Sequence, residues 1–313
     1  TVFISQDAGA EDVPPAVVPD GPRRCAELPV YDTTNPDYYY NTLYANTVKS
    51  NMRVRNFSFC YDTRRHNPIW VAFPMHSIYT EGSGRSKDAD GNDPWSEYDD
   101  LARGEQSIIW DIEGDGFMYW SHESAIIGSG SWTKGHLCMS SSRAGAGSEL
   151  NLQTFYPVNI APQANSYAGS GIFPDLWSKT ENLHWQRGTQ ICADTLYVVA
   201  GCHYASDSNV EYDACNWNTR SAYSKACIMP THQYKILLRT LKGNTGKAVQ
   251  DCAADELRTI GFWFDSVPGY GASDDLADYA VSVAEIERRT GITFFPEIPA
   301  AAKDGFTLSY WGL

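Results

Sequence analysis

Several things are scarce or missing in this sequence, and each absence closes a door. No apolar run approaches the roughly 18 residues that a membrane-crossing helix needs, so no helical span is expected. No two cysteines stand in a Cys-x-x-Cys pair, which argues against a zinc ribbon or a thioredoxin-like redox site. Nothing repeats at a solenoid or propeller period. Positive charge is also short: 24 Lys and Arg face 38 Asp and Glu, a net charge of −14. A protein that coats nucleic acid draws its affinity from cations that neutralise phosphates, so that class is disfavoured. A locally basic cleft in an otherwise acidic protein stays open. With no leader segment at its start, the sequence reads as a soluble chain or as the processed part of an exported one.

What remains describes a globular protein. Hydrophobic residues make up 42% of 313, enough to bury the core of one large domain. The stretch from Thr1 to Val30 is rich in Pro, Ala, Asp and Glu without periodicity, and reads as a flexible arm or tether ahead of a single domain over 31–313. Alternating β-branched and aromatic runs predict strands at 69–73, 107–112, 154–160, 195–200, 234–241 and 260–264. Pro174 suits the first turn of a helix on which Trp177, Thr180, Glu181 and His184 share one face. A short helix is expected over Ala253 to Arg258, and Ser282-Val283-Ala284-Glu285 reads as the capping box of another. The fold class is therefore α+β with a mixed central sheet. The eight cysteines are even in number. In an exported protein this predicts at least three disulfides, with Cys202–Cys215 and Cys25–Cys60 as the expected pairs.

The segment with most chemical content is Thr133-Lys134-Gly135-His136, followed by Asn159-Ile160-Ala161-Pro162-Gln163 and then by Trp177-Ser178-Lys179-Thr180-Glu181. Together with Asn56 to Asp62, Trp70 to Phe73, Thr195 to Gly201, Pro230 to Lys235 and Val283 to Pro296, this order resembles the DNA/RNA non-specific endonucleases, in the form seen in secreted bacterial members. The resemblance implies a ββα-metal (His-Me finger) core and Mg²⁺-dependent hydrolysis of DNA and RNA, with Mn²⁺ or Ca²⁺ as other metals. It makes His136 the general base that draws a proton from the attacking water.

Arg85 would stabilise charge built up at the scissile phosphate. Lys134 stands where the family has arginine and so lacks the bidentate fork. Arg143 would either hold phosphate oxygens or pair with a carboxylate. Arg64, Arg65 and Lys179 are candidate backbone contacts. The family's direct metal ligand is an asparagine four residues before the helix tryptophan, and Phe173 stands there in this chain. About five extra residues precede Trp177, which leaves Asn159, Asn165 and Asp175 as oxygen donors, with Glu181 holding coordinating water. Thr133, Lys134, Phe173 and the insertion favour a second reading, a weakened or inactive nuclease-fold protein that binds nucleic acid or a surface partner. The Pro-rich start and aromatic loops admit a third, an adhesin or glycan binder.

Overall fold

The computed structural model describes residues 24–110, 131–165, 172–183, 192–205, 230–266 and 274–313. Its centre is a seven-stranded sheet in the order β1-β2-β3-β6-β7-β8-β9, antiparallel at every pairing. The strands are β1 (Tyr38–Asn46), β2 (Arg53–Asp62), β3 (Asn67–Met75), β6 (Leu196–His203), β7 (His232–Thr240), β8 (Leu257–Asp265) and the short β9 (Ala280–Val281). A separate pair, β4 (Ser131–His136) and β5 (Ile160–Asn165), runs antiparallel with His136 opposite Ile160. The helices are α1 (Glu149–Leu152), α2 (Ile172–Asn182), α3 (Val283–Thr290) and α4 (Leu308–Trp311). The architecture is α+β, and β4, β5 and α2 form a ββα unit laid on one face of the large sheet.

Side-chain alternation along the strands builds two cores. Phe57, Phe59, Tyr61, Val71, Phe73, Val198, Ala200, Ile260, Phe262 and Phe264 pack toward the ββα unit, against Leu137, Val158, Leu176 and Trp177. Trp70, Val199, Tyr234, Ile236, Val283, Ile286, Phe294 and Phe295 fill the opposite face. On that second face Ser282 caps α3 as expected, its Oγ accepting from Glu285 N at 3.1 Å, and left-handed Gly291 ends the helix.

Several expectations fail for identifiable reasons. Residues 154–159 form two tight 3-10 turns, one opened by Pro157, and strand geometry begins only at Ile160. The run Ser107 to Trp110 is buried but irregular; Ser107 N finds the Tyr61 hydroxyl at 3.1 Å instead of a neighbouring strand. Residues 111 and 112 of that expected strand lie outside the described residues. Ala254–Glu256 is a single 3-10 turn, and β8 already starts at Leu257. Part of the expected arm is packed: Ala26 and Leu28 join the second core and buried Glu27 pairs with Arg55, while Val30 is exposed.

The disulfide framework is also corrected. Cys25, Cys60, Cys138, Cys192, Cys202 and Cys252 carry no disulfide. Cys25 Sγ takes a hydrogen bond from Arg55 Nη1 at 2.6 Å, and the sheet separates Cys60 and Cys252 in one core from Cys138 and Cys202 in the other. Cys215, the expected partner of Cys202, lies outside the described residues.

Candidate active site

The ββα unit and the loop before it enclose a cavity of about 560 Å³. Arg85, Asp93, Trp95, Lys134, His136, Ser140, Gln163, Trp177 and Glu181 are in its wall. His136 ends β4, and two clamps fix it there. Its carbonyl accepts from Trp177 Nε1 at 3.1 Å, which ties β4 to α2. Just beyond it, Leu137 N and Cys138 N donate to the Asn159 carbonyl and side-chain oxygens at 2.9 and 2.8 Å. The glycine before His136 has a steric reason. A Cβ on Gly135 would lie 2.2 Å from Gln163 Cδ, and Gln163 is itself held in the interior beside Gln233.

The imidazole packs between Trp95 and Phe155, with ring centroids 5.4 and 5.1 Å away, and its Nε2 is enclosed without a hydrogen-bond partner. Burial, and then the nearby Arg85 charge, push His136 down to about 3, with Asp93 opposing. The ring is therefore neutral at physiological pH and so able to accept a proton, but burial makes it a weak base until a ligand changes its surroundings. Lys134 lies with its Nζ 4.7 Å over the Trp95 ring and 3.3 Å from the Ile109 carbonyl. Burial pulls it down to about 8 against the raising effect of Asp93.

Arg85 reaches the same cavity and is held on three sides. Its Nε and Nη2 donate to the two Asp93 carboxylate oxygens at 2.9 and 2.7 Å, and its Nη1 donates to Ser140 Oγ at 2.6 Å. At the floor, Glu181 of α2 faces Lys235 of β7, Oε1 to Nζ 3.9 Å. Lys235 is fully buried, 4.1 Å over the Trp177 ring. Burial raises the Glu181 carboxyl against the lowering effect of Lys235, and lowers Lys235 to about 8.

The structure thus gathers His136, Arg85, Lys134 and Glu181 into one cavity and leaves Arg143, Asn159, Arg64, Arg65 and Lys179 elsewhere. Arg143 is fully buried behind it. Its guanidinium donates to Asn56 Oδ1 at 2.6 Å and to the Asn56, Pro74 and Ser142 carbonyls at 2.7, 2.9 and 2.9 Å, so it is a core strut with neither phosphate nor carboxylate to hold. Asn159 is spent on the clamp: its amide nitrogen donates to the Cys138 and Thr154 carbonyls, both at 2.8 Å, and its oxygen accepts from Cys138 N. That leaves it no geometry for a metal. The side chains of Asn165, Phe173 and Asp175 lie outside the described residues.

Arg64 and Arg65 sit on the β2–β3 turn, where Arg65 pairs with Asp62 at 2.5 Å and borders a different cavity of about 370 Å³. Lys179 donates to the Asp274 carbonyl at 2.8 Å, outside the wall of the main cavity. Sequence reasoning missed Asp93, Trp95 and Lys235. Lys235 left a signal, a cation inside the apolar run of a central strand; Asp93 and Trp95 lie in a polar loop without periodicity.

Residues 35–301 match the DNA/RNA non-specific endonuclease family. The chain belongs to that family. It is 24% identical over 244 residues to the mitochondrial nuclease EXOG of Danio rerio, covering 78% of this chain and 60% of that protein. With the mitochondrial endonuclease G of Homo sapiens it shares 24% over 248 residues, covering 79% of this chain and 70% of that protein. The chain therefore spans about 60% of the EXOG relative. A chain in the crystal structure of the EndoG/EndoGI complex superposes with a TM-score of 0.51 at 19% identity, covering 78% of this chain and 84% of that one, which supports the fold. These relatives are mitochondrial proteins of vertebrates, and the resemblance to secreted bacterial members finds no support among them.

Proposed function

We propose that this chain is a divalent-metal-dependent endonuclease that hydrolyses phosphodiester bonds of both DNA and RNA, with His136 as general base. The observation that carries this reading is the His136 Nε2, neutral and unpartnered in a cavity that also holds Arg85 and Lys134. A water that reaches the imidazole from the cavity it lines gives up its proton as it attacks phosphorus, and the two cations balance the charge that develops on the phosphoryl oxygens. The donor set tests the metal. Among the described residues no group of three His, Cys, Asp or Glu gathers around one point, so a metal ligated mainly by protein does not fit them. A hydrated Mg²⁺ does fit, because that ion keeps several waters and uses one or two carboxylates together with substrate phosphates. Glu181 in the cavity wall would hold it through water. When bound, such an ion stabilises charge on the leaving oxygen.

The test is nicking of supercoiled plasmid and cleavage of single-stranded RNA by the purified chain in Mg²⁺, with EDTA as control. Inertness in Mg²⁺, Mn²⁺ and Ca²⁺ on both substrates would leave the second reading, a nucleic-acid-binding descendant. That reading is favoured by the clamp role of Asn159 and by Phe173 at the family's ligand position. Export is a separate proposal that the six described cysteines, none in a disulfide, do not support, and it is tested by locating the protein in fractionated cells.

A further inference from the structure

Arg85 is built to grip a two-oxygen anion, and one already sits there. The Asp93 carboxylate meets its Nε and Nη2 in a parallel, bidentate pair, the geometry in which a guanidinium also holds phosphate. We propose that Asp93 is the resident anion of a phosphate seat: a substrate phosphodiester binds Arg85 by displacing the Asp93 carboxylate, and this exchange sets the affinity of the site. The identity of the incoming anion rests on the nuclease reading; the competition itself does not.

Three observations support exchange at a fixed arginine over movement of the arginine. The Arg85 guanidinium lies 4.8 Å over the Phe155 ring and is tied by Nη1 to Ser140, so its third side and one flat face are held independently of Asp93. Asp93 instead follows a tight turn in the loop, closed by Asp88 N donating to Asn92 O at 2.9 Å and by left-handed Gly91. The Asp93 carboxylate accepts from both Arg85 and Lys87, so on leaving Arg85 it keeps a cation, while Arg85 keeps Ser140 and Phe155. The pair is also reached by water, with side chains 38% and 26% exposed, so an anion from solution can approach it.

Lys87 adds a second cation to the seat, its Nζ 2.9 Å from Asp93 Oδ1. Burial works to raise Asp93, but hydrogen bonds from Arg85 and Lys87 outweigh it and hold the carboxyl at about 2. Protonation therefore does not empty the seat at neutral pH. A competing anion does.

The experiment titrates the whole chain with inorganic phosphate in metal-free buffer, read by calorimetry and by tryptophan fluorescence, since Trp95 lines the cavity. Asp93→Asn keeps the shape and removes the charge; Asp93→Glu keeps the charge. The Asn variant is expected to bind phosphate about three- to tenfold more tightly than the wild type, and the Glu variant to stay near wild type. With a short oligonucleotide, the salt dependence of binding to the Asn variant should steepen by about one phosphate contact. If Asp93→Asn binds phosphate no more tightly, or not at all, Asp93 positions Arg85 and the proposal is wrong. Superimposed phosphate titrations on a chain that still cuts plasmid would overturn the seat and spare the nuclease reading. A tenfold separation on a chain that cuts nothing would do the reverse.

Discussion

The two faces of the seven-stranded sheet are built from the same alternation of side chains, yet the enclosed atoms they leave without hydrogen-bond partners differ: the neutral Tyr31 hydroxyl on one, basic nitrogens among those on the other. On the face away from the ββα unit, several buried polar groups are paired into the packing: Tyr234 donates its hydroxyl to the Ile69 carbonyl at 3.1 Å, Thr259 to the Ala302 carbonyl at 2.7 Å, and Lys303 to Glu287 at 2.7 Å. On the face under the ββα unit, His136 Nε2 and Lys235 Nζ are enclosed without hydrogen-bond partners. An unsatisfied buried polar group costs free energy, so each needs a reason, of which completion by a ligand, an ion or water is one. The arginines make the same contrast at closer range. Arg143 is completed by protein oxygens, whereas Arg85 is completed in part by a carboxylate that a ligand can replace.

The strongest way to break this contrast is to remove the unpartnered base. His136→Ala should lower plasmid cleavage by about 10² to 10⁴-fold, the usual contribution of general-base catalysis. A variant that nicks DNA like the wild type would show that the enclosed nitrogen serves packing alone. The next test sets the two arginines against each other. Arg143→Met strips partners from the Asn56 and Pro74 carbonyls and should cost about 3 kcal/mol of stability by urea unfolding. Arg85→Ala should cost under about 1 kcal/mol, because its main ion pair is open to water, while cleavage falls about 10²-fold. Equal losses of stability in the two variants would erase the distinction.

A milder probe is pH. His136 has its folded value lowered to about 3 from 6.5, so the native state resists a proton that the unfolded chain accepts. Its stabilising contribution is complete above pH 6.5 and is lost as pH falls toward 3. Thermal melts of His136→Leu should therefore decline less steeply than wild type across that window. Parallel declines would place the acid sensitivity in the carboxylates.

Much of this was legible in the sequence. The family resemblance carried by Lys134-Gly135-His136 and Trp177-x-x-x-Glu181 located both sides of the cavity, and strand periodicity found β3, β6, β7 and β8, because short-range patterns report which side of an element faces inward. What pattern could not reveal were contacts made across the fold. Arg143 and Asn159 look like phosphate and metal ligands by residue type. Only the tertiary arrangement shows Arg143 spent on carbonyls from β2 and β3, and Asn159 on the strand end after His136. Asp93 was invisible for the opposite reason. It stands in a polar loop and gains its role from Arg85, eight residues earlier, once the turn at Gly91 brings the two together.

The smallest effect concerns the cysteines, and it bears on both faces at once. In the native protein the thiols should react unevenly. Cys138 is pushed up to about 11 by burial, and burial raises Cys60 and Cys202 as well, so little thiolate forms at any of the three near neutral pH. Cys25 and Cys192 are less enclosed and should be alkylated first. After denaturation without reductant, mass spectrometry should find alkylation at Cys25, Cys60, Cys138, Cys192, Cys202 and Cys252, because none of these six is in a disulfide. Such a result leaves only Cys215 and Cys227 for a bridge within the chain and takes away the cysteine argument for export. Protection of Cys25 or Cys60 after denaturation would instead restore the bridge expected from the sequence. It would also require the Arg55 contact to Cys25 to be given up, so Arg55→Ala, which lacks that contact, should show the same protection.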